Sequence, residues 1–142
     1  MLAYWRVEAE VAMSHWADPG LVREGLELFR SLPGSATSNV LLATDLHAGN
    51  VLRSFREPWL VIDPKPFLGD PAYDATQHLL NCADRLLAHP DRTIKEFAEL
   101  LEVDAQRVGL WTFARAAVLS GAGHEVDWPM SLVLALKASI SF

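Results

Sequence analysis

The chain has 142 residues, of which 51% are hydrophobic, and a formal net charge of −6. This composition is typical of one globular domain and excludes a disordered chain. The acidic balance argues against a nucleic-acid partner, because proteins that bind the phosphate backbone are usually basic. One cysteine, Cys82, excludes an internal disulfide and a zinc site built from cysteines. No apolar run is long enough to cross a membrane and no signal peptide is recognisable, so we expect a cytoplasmic protein.

Apolar residues at helical spacing predict most of the secondary structure. Asp18-Pro19-Gly20 should end the first helix, Pro33-Gly34 the second, and Gly121 and Gly123 the long one that begins after a cap at Asp104. The predicted helices cover approximately residues 3–16, 21–29, 73–87, 93–101, 105–118 and 130–140.

The strands are fewer and shorter. Residues 40–43 predict a buried strand, and residues 51–52 and 59–62 predict a hairpin that turns near Pro58. Prolines and a glycine interrupt residues 64–71, which predicts a loop there. The fold class predicted from the pattern is mainly α with a small β hairpin.

The residues that are the best candidates for catalysis or metal binding lie around that hairpin. Asp45 is followed by Asn50, and Asp63 ends the strand Val61-Ile62. Phosphoryl transfer needs a base that orients a hydroxyl and oxygen ligands that hold Mg²⁺ on the phosphates, and a protein-kinase-like fold supplies them in this order. Singly, Asp and Asn are ordinary loop formers. In combination with the strand end they favour a functional site.

The stretch 45–74 resembles a known family. It reads Asp-Leu-His-Ala-Gly-Asn-Val-Leu, then Val-Ile-Asp-Pro-Lys-Pro, then Gly-Asp-Pro-Ala-Tyr-Asp. It is similar to the C-terminal lobe of the aminoglycoside phosphotransferases, in the branch of the streptomycin 6-kinases and hydroxyurea phosphotransferases. The resemblance implies a kinase-like C-terminal lobe over residues 1–142, with a catalytic loop at 45–50, a metal-binding strand end at 61–63 and a helical remainder.

The same resemblance implies roles for these residues. Asp45 would be the catalytic base, Asn50 and Asp63 the Mg²⁺ ligands, and ATP the phosphoryl donor. The acceptor would be an alcohol group of a streptomycin-like aminoglycoside, in antibiotic resistance or secondary metabolism. A cationic substrate of this kind is compatible with the acidic net charge. No substrate-binding residue is identified by the motif.

The chain departs from the family pattern in two places. Many relatives have His-Gly before the catalytic aspartate, where this chain has Ala43-Thr44. Only 44 residues precede Asp45, without a glycine-rich loop, and no lysine occurs before Lys65. We therefore expect the N-terminal nucleotide lobe to be absent and the chain alone to be inactive. The face left open would then favour homo-oligomers.

Four further residues are candidates for supporting roles. Asp70 and Asp74 are expected to accept backbone N–H bonds from the catalytic loop and to cap the following helix. His47 either orients its neighbours or contacts the metal. Lys65 either reaches a phosphate or forms a surface ion pair with Asp70.

Two other functions remain open. The chain could be a non-catalytic remnant that binds a substrate or a partner. Asp45-Leu46-His47 also matches the opening of the metallophosphoesterase motif, although the spacing from Asp70 to Asp74 is too long for that motif and no Gly-Asn-His follows.

Overall fold

The computed structural model describes residue 7, residues 18–120 and residues 128–140. The helix predicted over residues 3–16 lies outside these ranges except for Val7, which is helical, and so do Gly121 and Gly123. The described chain is mostly helical, with two small antiparallel sheets. None of its helices combines the length and apolarity needed to cross a lipid bilayer.

Two of the helices begin at aspartate caps. The carboxylate of Asp18 accepts the backbone N–H groups of Gly20 and Leu21 at 2.9 and 3.3 Å, so it starts the helix that follows it. Asp104 accepts the N–H of Arg107 at 2.7 Å, which confirms the predicted cap. The helices are α1 (Pro19–Ser31), α2 (Ala75–Asn81), α3 (Ala83–Ala88), α4 (Pro90–Leu101), α5 (Ala105–Leu119) and α6 (Met130–Ile140).

The core is built around α5, which contacts α1, α2, α4 and α6. Every residue of α5 from Trp111 onward is buried. A Cβ atom on Gly25 of α1 would lie 3.0 Å from the Ala114 carbonyl oxygen, so α1 and α5 pack closely at that point. Trp111 packs at 6.0 Å from the Phe29 ring, and Trp128 is buried as well.

The strands form two separate pairs. β1 (Val40–Leu42) pairs with β4 (Phe67–Gly69), and β2 (Val51–Arg53) pairs with β3 (Trp59–Val61). The second pair confirms the predicted hairpin.

Two of the predictions for the strands are wrong. Residues 64–71 are not all loop, because β4 lies among them. Its three residues are too few to show a period, and the flanking prolines dominate the pattern. β1 was expected to be buried, but only Leu42 is, and Leu41 is 71% exposed.

The helix predicted over residues 73–87 is interrupted. A 3₁₀ turn (Pro71–Tyr73) precedes α2, and Cys82, with φ −105° and ψ 40°, separates α2 from α3. The change of direction lets Leu86 of α3 enter the core beside α4 and α6. No glycine or proline marks the break, so the apolar spacing continues through it.

Candidate functional site

The loop after β1 is closed by its own hydrogen bonds. The Asn50 side-chain nitrogen donates to the Asp45 carbonyl oxygen at 2.9 Å, and the Asn50 backbone N–H donates to the His47 carbonyl at 2.9 Å. The His47 ring nitrogen Nδ1 accepts the N–H of Gly49 at 3.1 Å and caps the 3₁₀ turn (Ala48–Asn50). His47 therefore orients its own loop, and Asn50 keeps its Oδ1 available as an acceptor.

The strand end at Asp63 is tied to this loop from both sides. The N–H of Ile62 donates to the Asn50 carbonyl at 2.9 Å, which extends the pairing of β2 with β3. The N–H of Lys65 donates to the Ala43 carbonyl at 3.0 Å. Asp63 lies between these two anchors, so the structure brings it into the same region as Asp45 and Asn50.

The Asp45 carboxylate has a different neighbour at each oxygen. Its Oδ2 lies 2.7 Å from the Lys65 Nζ atom, and its Oδ1 lies 3.9 Å from the His47 Nε2 atom. The hydrogen bond to Asp45, the charge of Asp45 and the charge of Asp63 raise the pKa of Lys65 above its usual value. Lys65 therefore pairs with Asp45, and the expected pair with Asp70 does not form.

Thr44 and Asp63, on the two segments of the site, have left-handed backbones. Their φ angles are 55° and 48°, a region that is rare for residues other than glycine and rarest for β-branched ones. Thr44 is the β-branched residue of the two. Its Oγ1 donates to the Lys65 carbonyl oxygen at 2.5 Å, which fixes the Lys65 segment against the loop.

Asp74 and Asp70 divide the two tasks that were expected of both. Asp74 accepts the N–H groups of Ala43 and Thr44, each at 2.8 Å, and makes no side-chain cap on α2. Asp70 instead caps the turn before α2 by accepting the N–H of Ala72 at 3.1 Å. Asp74 thus holds the entrance of the loop, whereas Asp70 holds the element behind it.

The surroundings of Asp70 were not predicted from the sequence. Its Oδ2 accepts from Trp111 Nε1 at 2.6 Å and from the Arg107 guanidinium, and its side chain is almost fully buried. Arg107 also donates to the Leu32 carbonyl and to Ser35 Oγ. These partners come from α5 and from the segment that follows α1, and no local pattern could have joined them.

Arg115 was also missed. It is buried in α5 and donates to Thr76 Oγ1 at 2.9 Å and to Gln77 Oε1, with its guanidinium 5.6 Å from the centre of the Tyr73 ring. Burial lowers the pKa of Arg115, whereas the charges of Tyr73, Asp45 and Asp74 raise it. The arginine therefore contributes a buried positive charge behind the loop.

The site offers oxygen donors of the kind that a hard cation prefers. Asn50 Oδ1 and the Asp63 carboxylate lie on neighbouring segments, and Mg²⁺ is commonly bound by one or two carboxylates together with phosphate oxygens and water. Across residues 18–120 and 128–140, no three His, Cys, Asp or Glu side chains gather into a metal site. Two such donors fit a Mg²⁺ ion whose remaining ligands come from phosphate oxygens and water.

Comparison with known proteins identifies relatives for most of the chain. The sequence profile of the aminoglycoside/hydroxyurea antibiotic resistance kinases matches residues 4–127. The streptomycin 6-kinase of Streptomyces glaucescens is 35% identical over 113 residues, which are 75% of this chain and 36% of that enzyme. The streptomycin 6-kinase of Streptomyces griseus is 42% identical over 81 residues, 53% of this chain and 26% of that enzyme.

A third relative matches over a shorter stretch. The hydroxyurea phosphotransferase of Kitasatospora aureofaciens is 58% identical over 41 residues, 29% of this chain and 12% of that enzyme. The chain thus spans 36% or less of the length of these relatives. No solved structure gives a significant match. The profile covers far more than half of the sequence and confirms the resemblance, so the chain belongs to the family of aminoglycoside/hydroxyurea antibiotic resistance kinases.

Proposed function

We propose that this chain is the kinase-like C-terminal lobe of an ATP-dependent phosphotransferase that acts on an alcohol group of an aminoglycoside-type antibiotic. The observation that carries the proposal is the set of hydrogen bonds that ties the Asp45 loop to the Asp63 strand end. A base and two oxygen ligands in one region are what phosphoryl transfer requires.

In this mechanism Asp45 accepts the proton of the acceptor hydroxyl. The hydroxyl oxygen forms a bond to the γ-phosphorus as the bond from that phosphorus to the bridging oxygen breaks, and ADP leaves. Asn50 and Asp63 would hold Mg²⁺, which would neutralise charge on the phosphates. His47 keeps the loop closed through its bond to Gly49, and Asp74 fixes the loop entrance.

The substrate class rests on the relatives, two of which are streptomycin 6-kinases. An acceptor with guanidinium or amino groups also suits a chain of net charge −6. We place the activity in antibiotic resistance or secondary metabolism, in the cytoplasm. The 142 residues include no glycine-rich phosphate loop, so we expect them to need a nucleotide lobe, in cis or from a partner, for turnover.

A chimera tests the proposal. The segment of the Streptomyces glaucescens enzyme that matches this chain is replaced by this chain, and ATP-dependent phosphorylation of streptomycin is followed by mass spectrometry. Asp45→Asn should lower kcat by about 10²–10⁴-fold with little change in ATP affinity, because a general base acts on the chemical step. Asp84→Asn, an exposed aspartate at the start of α3, is the matched control and should leave kcat unchanged.

Each failure of this experiment has a different meaning. Wild-type kcat in the Asp45→Asn chimera would refute the mechanism, and phosphorylation of other acceptors only would refute the substrate class. A chimera that is folded and binds streptomycin but transfers no phosphate would favour the alternative of a non-catalytic binding domain.

A further inference from the structure

Lys65 occupies an unusual position in the candidate site. Its ammonium group lies 2.7 Å from Asp45 Oδ2, and it follows Asp63 by only two residues. The amine therefore lies against the proposed base, on the segment that also carries the proposed metal-binding carboxylate.

Stability alone does not explain the way in which Lys65 is held. Its side chain is 61% exposed, and exposed ion pairs contribute only about 0–1 kcal/mol. Its backbone is nevertheless fixed at both ends, because its N–H donates to Ala43 and its carbonyl accepts the hydroxyl of the strained Thr44. A precisely anchored backbone with a weakly stabilising side chain is the arrangement expected of a residue that serves a ligand.

The ion pair also distinguishes the two oxygens of Asp45. Oδ2 is engaged by Lys65, whereas Oδ1 has only the His47 ring at 3.9 Å. Oδ1 is therefore the oxygen that can take the proton of an acceptor hydroxyl.

On the basis of the proposed function, we propose that Lys65 is a catalytic residue whose ammonium group contacts the γ-phosphoryl group of the nucleoside triphosphate during its transfer. The acceptor gives its proton to Asp45 Oδ1, the new O–P bond forms and the P–O bond to ADP breaks. Lys65 keeps its proton throughout and neutralises charge on the phosphoryl oxygens. A fixed charge of this kind needs no reorganisation at the moment of reaction.

The first experiment uses the 142-residue chain and needs no turnover. The chain has three lysines, Lys65, Lys95 and Lys137, so reductive ¹³C-methylation, which preserves their charge, gives few NMR signals. Each signal is assigned by a Lys→Arg variant. Inorganic tripolyphosphate with Mg²⁺ should shift the Lys65 signal and leave in place the signals of Lys95 and Lys137, which lie on α4 and α6. A Lys65 signal that does not move, or that moves no more than the other two, overturns the proposal.

The second experiment uses the chimera. Lys65→Met should lower kcat by about 10²–10³-fold with little change in the KM for streptomycin, as expected when one donor to the transition state is lost. Lys65→Arg should restore part of the rate, because it keeps the charge. Lys95→Met is the matched control and should behave like the unmodified chimera.

The two proposals fail in different ways. If Asp45→Asn abolishes turnover and Lys65→Met does not, the proposed function stands and the role of Lys65 is wrong. If Asp45→Asn leaves turnover unchanged, the proposed function is wrong. The proposal would also be overturned if Lys65→Met raised the KM for streptomycin without lowering kcat. That result would mean that Lys65 contacts the acceptor and not the phosphoryl group.

Discussion

Thr44 combines a left-handed backbone with a hydrogen bond that compensates for it. A φ of 55° costs a β-branched residue about 1–3 kcal/mol, and it persists only where the surroundings enforce it. Two interactions do so here: Asp74 accepts the Thr44 N–H at 2.8 Å, and the Thr44 hydroxyl donates to the Lys65 carbonyl. The Thr44 hydroxyl therefore gives the loop a second tie to the Lys65 segment.

Substitutions at Thr44 should separate the strain from the hydrogen bond. Thr44→Val keeps the strain and removes the donor, so we expect the free energy of unfolding to fall by about 1–3 kcal/mol. Thr44→Gly removes both, so it should change that free energy by less than about 1 kcal/mol. Urea unfolding measures both effects.

Thr112→Val, in the ordinary helical backbone of α5, is the control, and it should lower the free energy of unfolding by less than Thr44→Val. If Thr44→Gly is the more damaging change, Thr44 is not strained.

At this scale the sequence predicts the site residues that are close together in the chain. Asp45, Asn50 and Asp63 could be chosen because the loop and the hairpin lie within one short stretch, where spacing determines position. The partners of Asp70 could not be chosen, because Arg107 follows it by 37 residues on α5. Tertiary packing brings these two together, and a single sequence carries no signal of it.

At the scale of elements, α2 packs on α4 through a stacked pair of rings. His78 of α2 lies 4.6 Å from Phe97 of α4, with 8° between the ring planes. Burial lowers the pKa of His78 below its ordinary value of 6.5, and electrostatic interactions with Arg85 and His47 lower it further. The neutral imidazole is therefore the form that suits this contact.

This contact predicts a pH dependence of stability. Below about pH 6.5 the unfolded chain binds a proton at residue 78 that the folded chain does not, so stability falls as the pH falls through this value. Above it both states are neutral at this position, and the effect disappears. Comparing urea unfolding at pH 5.5 and 7.5, we expect the loss at low pH to be smaller in His78→Phe than in the wild type. His89→Gln, at an exposed histidine, should keep the wild-type loss. Equal losses in all three proteins would contradict the prediction.

The elements that the sequence predicts well are those with strong periodicity. α5 and α6 were predicted because long apolar repeats distinguish a helix from other structures, and α5 also has a clear cap. β4 was missed because a three-residue strand with exposed apolar side chains shows no alternation. The break at Cys82 was missed because it depends on how α3 packs, which the local sequence does not encode.

At the scale of the whole molecule, the two sheets present a large apolar surface to solvent. Exposed apolar residues lie on all four strands, and Leu41 and Leu68, which face each other across β1 and β4, are 71% and 79% exposed. Exposed apolar surface of this kind often marks a site that another protein segment covers. For the chain on its own, we expect a second copy to do so.

We therefore predict that the isolated chain associates through this apolar face. Its apparent mass in sedimentation or light-scattering experiments should rise with concentration above the monomer value of 15.7 kDa. Leu41→Lys combined with Leu68→Glu places opposite charges at a register pair, which preserves the pairing of β1 with β4 and makes the face polar. We expect this variant to remain monomeric over the same concentration range.

Leu100→Glu is the control, because it removes an equally exposed leucine from α4, and it should associate like the wild type. A wild-type chain that is monomeric at every concentration, or a Leu100→Glu variant that dissociates as fully as the double variant, would show that the sheets are not the interface.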